Sequence, residues 1–185
     1  MVRKMTIVKY SADWPNQYKC ELAVLGDVLG DEIVHAHHIG STSVPGLAAK
    51  PVIDILLEVR SVERLDAQRE AMEGLGYQAK GEFGIPGRRY YPKGGDARTY
   101  HVHAFVAGDS HVEQHLAFRN YLRAHPAVAA EYAAVKRAAA AAHETDPEGY
   151  VSFKQSFIQR TVSLAVDWER KQQLKVQAQE REVSR

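Results

Sequence analysis

Two features of the chain could do chemistry together. One is a glycine–hydroxyl turn, Gly40-Ser41-Thr42-Ser43, at the end of an apolar segment; the other is Asp54, set in the run Val52-Ile53-Asp54-Ile55-Leu56-Leu57. Gly40 can take backbone angles closed to other residues and lets a ligand approach the main chain. The hydroxyls and N–H groups that follow can form a concave nest for an anion such as phosphate. The apolar run reads as a buried strand. A carboxylate inside it is costly unless it is paired, hydrogen-bonded or bound to a cation. Turn and acid together make a candidate phosphate-and-metal site, with Asp54 as the cation ligand. The alternative is an Asp54 that is hydrogen-bonded to the turn and holds its shape. Ser41 is the phosphate-turn hydroxyl, the cap of a short helix over 44–49, or both, since a helix N-terminus favours anions. Lys50 either reaches a phosphate or neutralises Asp54. Strand alternation puts Asp54, Leu56 and Glu58 on one face, with Glu58 expected to be solvated at the strand end.

A second group of residues lies further on. His101-x-His103 sits in the alternating segment Thr99–Val106. Histidines two apart on a strand share a face, a geometry that suits zinc or iron. His111 and His115, four apart, share a helix face in the same way. No carboxylate stands near the pair in sequence, and half-buried histidines with ordinary hydrogen bonds are common. Glu82, Arg88 and Arg89 surround a hairpin turn. Arginine grips phosphate with a bidentate fork, but neighbours on a strand point to opposite faces, so at most one of the two faces a site. Glu82 is either a second metal ligand or the ion-pair partner of the inward arginine. Arg119 and Arg123 are expected on solvated helix faces or in capping ion pairs. Lys154 falls inside an apolar periodic helix.

These residues need a frame, and local signals supply one. Thr6–Tyr10 reads as a first short strand, followed by a helix capped by Ser11 or Asp13 that runs to about Leu29. Asp31–Ile39 is the strand into the turn, carrying His35, His37 and His38. A helix spans 61–75 with Ser61 as its cap. Tyr77–Phe83 and Arg88–Tyr91 form a hairpin, Thr99–Val106 a further strand. Helices follow over His111–Ala124, from Pro126 through an alanine-rich stretch to 143, and over Tyr150–Trp168. Strands clustered in the middle argue for α/β (α+β), a mixed, partly antiparallel sheet flanked by helices with a C-terminal helical portion. No linker or repeat interrupts the chain, so 1–170 is expected to be a single domain and 171–185 a charged tail.

Composition sets outer limits. With 185 residues, 45% apolar, 25% charged and net charge +1, the chain can bury a full core. It has no global basic field to attract nucleic acid. Its one cysteine, Cys20, excludes an internal disulfide framework and fits a reducing compartment. Neither a signal peptide nor a membrane span is legible, so a cytoplasmic location is expected.

The run from Ile39 to Ile55 resembles the GrpB family, whose pattern IGSTxVPGLxxKPxIDI it follows almost without a break. Gly76-Tyr77, Gly81-Glu82, Gly87-Arg88-Arg89, His101-x-His103, Leu116-Ala117-Phe118-Arg119, Tyr121-Leu122-Arg123, Tyr132 with Lys136, and Lys154 extend the likeness over nearly the whole length. The resemblance implies a nucleotidyltransferase-type fold. There, a Gly-Ser turn and an Asp-x-Asp strand hold magnesium and a nucleoside triphosphate. Carried onto this chain, it places Gly40, Ser41, Thr42, Lys50, Arg88 or Arg89, and Lys154 at the nucleotide, Asp54 at magnesium, and Glu82 and His103 beside the reacting groups. On this resemblance His101 or His103 would line the pocket as a base or a phosphate donor group. The acceptor is a small molecule or a protein hydroxyl. Leu56 stands where the second acid belongs. That departure keeps two other readings open: a non-catalytic module that binds a nucleotide or a coenzyme A-related ligand, and a histidine-ligated metal enzyme.

Overall fold

Ile53, Ile55, Leu57 and Val59 alternate with Asp54, Leu56 and Glu58, so one face of this segment is wholly hydrocarbon and the other is not. In the computed structural model, which describes residues 4–183, the segment is strand β2 (Ile53–Val59). It lies inside a four-stranded sheet with β1 (Ile33–Ile39), β3 (Arg89–Lys93) and β4 (Tyr100–Val106), in the order β1-β2-β4-β3. β2 runs antiparallel to β1 and parallel to β4, and β4 runs antiparallel to β3. This is the mixed sheet expected from the clustered strands.

The hydrocarbon face packs beneath helices α1 (Trp14–Leu29), α2 (Val62–Ala67) and α3 (Arg69–Gly74). Trp14, Leu25, Leu65 and Met72 join Ile53, Ile55, Leu57, Val102 and Ala104 in the main core. The opposite face carries Leu56 and Phe105 against Val112 of α4 (Ser110–Ala124). Two further helices, α5 (Pro126–Ala142) and α6 (Pro147–Val183), stack beside α4. Leu122, Tyr132 and Phe157 from these three helices close over Val44 and Leu47 of the loop that joins β1 to β2.

Several boundaries differ from the sequence reading. The expected first strand contributes only one bridge, Val8 to Ala49, made by a reciprocal pair of backbone bonds of 2.9 and 3.0 Å. Its partner is the irregular loop before β2, which gives a ladder nothing to extend along. No helix forms over 44–49. A single 3₁₀ turn at Ser41–Ser43 is followed by an open path, because Pro45 and Gly46, the latter at φ 77°, cannot continue it. Tyr77–Phe83 is a strand in outline only. Gln78 N–H donates to the Pro92 carbonyl and Lys80 N–H to the Tyr90 carbonyl, yet Pro92 has no N–H with which to reciprocate. The helix expected over 61–75 is broken in two at Gln68, while Ser61 does cap its first half by accepting from Arg64 N–H at 3.2 Å. The charged segment from 171 continues α6 through Val183. Residues 1–3 of the basic start and 184–185 of the tail lie outside the described residues. Among the described residues no helix is long and apolar enough to cross a membrane.

One polar knot ties α1 to the sheet edge. The buried Glu21 carboxylate accepts from the Tyr77 hydroxyl at 2.7 Å and from Lys93 Nζ at 2.7 Å. Burial, and then the adjoining carboxylate, push the Tyr77 hydroxyl pKa far up. Substituting Glu21→Leu leaves both donors unpartnered. It is expected to cost about 2 kcal/mol, since an orphaned buried donor costs about 1–3 kcal/mol and Lys93 retains some access to water. In a chain of this size that lowers the melting temperature by roughly 4–8 °C, measured by thermal denaturation against wild type.

Candidate functional site

The parallel pairing of β2 with β4 sets Asp54 opposite His101 and Leu56 opposite His103. Because side chains alternate, all four project from the same face of the sheet. His101 Nδ1 lies 3.0 Å from Asp54 Oδ1, and His103 Nε2 lies 3.7 Å from the same oxygen. Burial works against the Asp54 charge, but the two adjoining histidines, His101 above all through its hydrogen bond, outweigh it and hold the carboxyl well below the usual carboxylate range. Burial also lowers the His103 pKa, favouring the neutral ring. The three ligand atoms lie within 4.8 Å of one another and could hold a metal ion.

Gly40 forms the other wall. Its backbone sits at φ 68°, ψ −173°, a region essentially restricted to glycine. A Cβ there would lie 2.3 Å from Asp54 Oδ2, so the missing side chain is what lets the turn meet the carboxylate. The turn is pinned from behind by α4: Arg119 Nη1 donates to the His38 carbonyl at 3.2 Å, and Arg123 donates to the Ser43 carbonyl at 3.0 and 2.6 Å. These arginines, expected on a solvated face or in capping ion pairs, instead clamp the carbonyls on either side of the turn. Ser43 Oγ donates to the Gly40 carbonyl at 2.6 Å, and the Thr42 hydroxyl lies 3.0 Å from His38 Nε2.

In front of Asp54 opens a cavity of about 570 Å³, within the size range of small-molecule sites. Gly40, Ser41, Thr42, Lys50, Asp54, Arg88, His103 and Lys154 all line it, joined by Lys136 and Tyr150. Lys50 and Lys154 each place the ammonium over the Tyr150 ring, 4.5 and 4.3 Å from its centre. Lys136 is fully enclosed; its Nζ donates to the Ala48 carbonyl and lies 4.6 Å from the centre of the Tyr132 ring. Burial, reinforced by neighbouring cations, lowers the Lys136 pKa to about 7, and burial lowers Lys154 to about 8; the Asp54 charge opposes both shifts. Arg88 is fixed by donating to the Glu82 and Phe83 carbonyls at 3.1 and 2.7 Å. Phe83 stands at the mouth, 65% exposed, at φ 45°.

The structure separates three residues from this group. Arg89 points to the opposite face, where it pairs with Asp66 at 2.7 Å. The Glu82 side chain turns back to accept from Gly87 N–H at 2.7 Å, away from the cavity; only its main-chain carbonyl serves the site, through Arg88. Glu58 is buried rather than solvated. It meets His37 Nε2 at 2.8 Å, on the far side of Leu56 from Asp54. His111 joins Asp109 and stacks on Phe105, while His115 approaches His103 at 5.7 Å between ring centres. Sequence reading gave Lys136 no role at the site, although it follows Tyr132 by one helical turn on the apolar face of α5. It also left the histidine pair without a carboxylate. Asp54 is that carboxylate, supplied by strand pairing across 47 residues of sequence.

Magnesium prefers carboxylate, phosphate and water oxygens. The site offers it one carboxylate and two imidazoles, and Leu56, fully buried, supplies no oxygen at the second-acid position. The residues present do not fit a magnesium site of the paired-acid kind. A second cavity, of about 620 Å³, lies beyond the 44–48 loop against α4 and α5. Its lining holds no acid or histidine, and its Arg123 is committed to the Ser43 carbonyl, so the chemistry concentrates at Asp54.

Comparison with known proteins adds a family to this geometry. UPF0157 protein YqkA of Bacillus subtilis is 46% identical over 91% of this chain, which spans 49% of YqkA. A dephospho-CoA kinase of Mycolicibacterium paratuberculosis is 28% identical over 88% of this chain, which spans 46% of that protein. The chain therefore matches about half the length of each of these relatives. Among solved structures, conserved protein GrpB from Enterococcus faecalis superposes with a TM-score of 0.85 and 39% identity, over 89% of this chain and 99% of that one. The model of the GrpB protein family matches residues 4–163, which include the turn, Asp54, the histidine pair and the cavity lysines, and the chain belongs to that family.

Proposed function

We propose that the cavity binds the phosphates of a nucleoside triphosphate and that the protein transfers its nucleotidyl group to a small-molecule or protein acceptor. The observation that carries this reading is the convergence of Lys50, Arg88, Lys136 and Lys154 on one cavity with the Gly40–Thr42 turn. Arg88 and Lys136 are buried and Lys154 half-buried; cations so enclosed are expensive without an anion to face, and Asp54 alone cannot offset these three. A polyphosphate would. The lysines and Arg88 would hold its oxygens and balance the charge that develops during transfer. Ser41 and the turn would position it, and the exposed ring of Phe83 offers a face for a base to stack on. Positioning and electrostatics would then supply most of the rate.

The test is calorimetric titration with ATP, CTP, GTP and UTP, followed by a transfer assay with nucleotide labelled at the α-phosphate. Saturable binding of at least one nucleotide is expected; absence of binding to all four, with tripolyphosphate also silent, overturns the reading.

The two shifted lysines add a pH dependence. Free Lys136 and Lys154 lose protons near pH 7 and 8, whereas a bound polyphosphate holds them charged. Binding at pH 8 is therefore expected to take up protons, and affinity to fall more than tenfold from pH 7.5 to 9.5. Titrations in buffers of differing ionisation enthalpy measure the proton uptake directly.

A second reading is favoured by the dephospho-CoA kinase relative, about half of which this chain spans. On this reading the domain binds a nucleotide or a coenzyme A-related ligand without transferring anything. Binding with no labelled product across a panel of acceptors would select it.

A further inference from the structure

Asp54 Oδ1 is approached by two imidazole nitrogens, but a proton can bridge it to only one of them. His101 Nδ1, at 3.0 Å, is within hydrogen-bond reach; His103 Nε2, at 3.7 Å, is beyond it. The remaining nitrogens, His101 Nε2 and His103 Nδ1, are buried with no hydrogen-bond partner among the described residues. Those two nitrogens are not the ligand atoms; the set that comes together is Asp54 Oδ1, His101 Nδ1 and His103 Nε2. As a ligand set it is well spaced. An ion about 2.05 Å from each of its tetrahedral ligands sets neighbouring ligand atoms about 3.3 Å apart, and the two observed separations bracket that value.

We propose that Asp54 Oδ1, His101 Nδ1 and His103 Nε2 bind one divalent transition-metal cation, of which zinc is the representative, in place of the magnesium that a paired-acid site would take. Two imidazoles and one carboxylate are the donor set such ions accept and magnesium does not favour. All three ligands stand on adjacent inner strands of the sheet, so the site is rigid before the ion arrives. Gly40 fixes the carboxylate, because Oδ2 occupies the space where a side chain at that position would lie, leaving Oδ1 turned to the histidines. Leu56, opposite His103 and fully buried, closes the fold side without an oxygen. The open positions of the ion face the cavity, where water or a phosphate oxygen completes the shell. In that last respect the inference rests on the nucleotide reading; binding of the ion itself does not.

The experiment uses the full chain, stripped with chelator and dialysed, and titrates zinc, manganese and magnesium ions alone, without nucleotide. One equivalent of zinc is expected, bound at least 100-fold more tightly than magnesium. His101→Gln and His103→Gln are each expected to weaken zinc more than the roughly 10–100-fold that loss of an outer-shell partner costs. Cobalt substitution adds a spectroscopic readout, with visible bands characteristic of low-coordinate nitrogen ligation that either substitution removes. Melting curves in chelator show whether each variant is folded; if one is not, the other and the cobalt spectrum carry the test. Absence of bound zinc overturns the inference, as does zinc binding that survives both substitutions or magnesium binding as tight as zinc. Nucleotide titrated in chelator separates the two ideas. Binding there with no zinc site leaves the cavity reading standing and sinks this one, and a zinc site with no nucleotide binding does the reverse.

Discussion

Replacing Lys136 with methionine is expected to lower nucleoside triphosphate affinity by about 10- to 150-fold. The lysine ends in the wall of the cavity, enclosed by Tyr132 and the Ala48 carbonyl. A hydrogen bond to a charged partner is worth about 1.5–3 kcal/mol, which converts to that range. Methionine keeps the length and apolar stem, so the fold should survive. Stability against pH provides the control. Lys136 loses its proton near 7 in the folded chain, against an ordinary 10.5, because burial disfavours the charge. Between those values the unfolded chain holds more protons, so raising the pH favours the fold. Below pH 7 both states are charged and the full burial penalty applies. Wild type should therefore gain stability from this group as pH rises from 7 towards 10, and Lys136→Met should not. Denaturant titrations at pH 7 and 9.5 would show the difference. Undiminished nucleotide affinity in the variant would remove Lys136 from the site.

Gly40→Ala is expected to be among the most disruptive single changes in the chain. The backbone there sits at φ 68°, ψ −173°, a conformation that costs a residue with a Cβ roughly 1–3 kcal/mol. The new methyl would also fall 2.3 Å from Asp54 Oδ2. Either the turn or the carboxylate must move, and both are held, the turn by Arg119 and Arg123 and the carboxylate by His101. A total of about 3 kcal/mol corresponds to a melting temperature lower by roughly 6–12 °C. Ligand binding should fall with it, because the displaced group is Asp54. Gly46→Ala is the comparison: it shares a positive φ, 77°, but a Cβ there meets nothing within 4 Å, so it should cost only the backbone part and leave binding intact. Equal effects of the two substitutions would show that the Gly40 contact with Asp54 is unimportant.

The sequence by itself determined what period and punctuation can determine. Alternation assigned Asp54, Leu56 and Glu58 to one face of β2 and paired His101 with His103 on one face of β4. Adjacent arginines on a strand implied that only one could face inward, and Arg88 does. Proline and helical spacing marked α4 and α5 closely, whereas α6 begins at Pro147, three residues before the expected Tyr150, and the glycine–hydroxyl turn was legible because few residues tolerate its backbone. These are local constraints, written within a few residues.

Which strand lies beside which is not local, and there the tertiary structure decided. β4 pairs with β2 in parallel and in one register, and that pairing alone delivers the histidine pair to Asp54. A shift of one residue would have sent both rings to the other face. The same cause explains the residues that were misplaced. Glu82, open in sequence between a second metal ligand and an ion-pair partner of the inward arginine, turns its side chain back to Gly87 N–H instead. Glu58 looked solvated until His37 of β1 and the Gly108 N–H met it, and Arg119 and Arg123, expected in solvent or in capping ion pairs, became clamps once α4 was laid across the turn. Lys136 became a cavity cation only when the alanine-rich face of α5, with little side-chain bulk, packed close enough for its ammonium to reach the Ala48 carbonyl. Sequence patterns specify the face on which a side chain stands; the fold determines what that face meets.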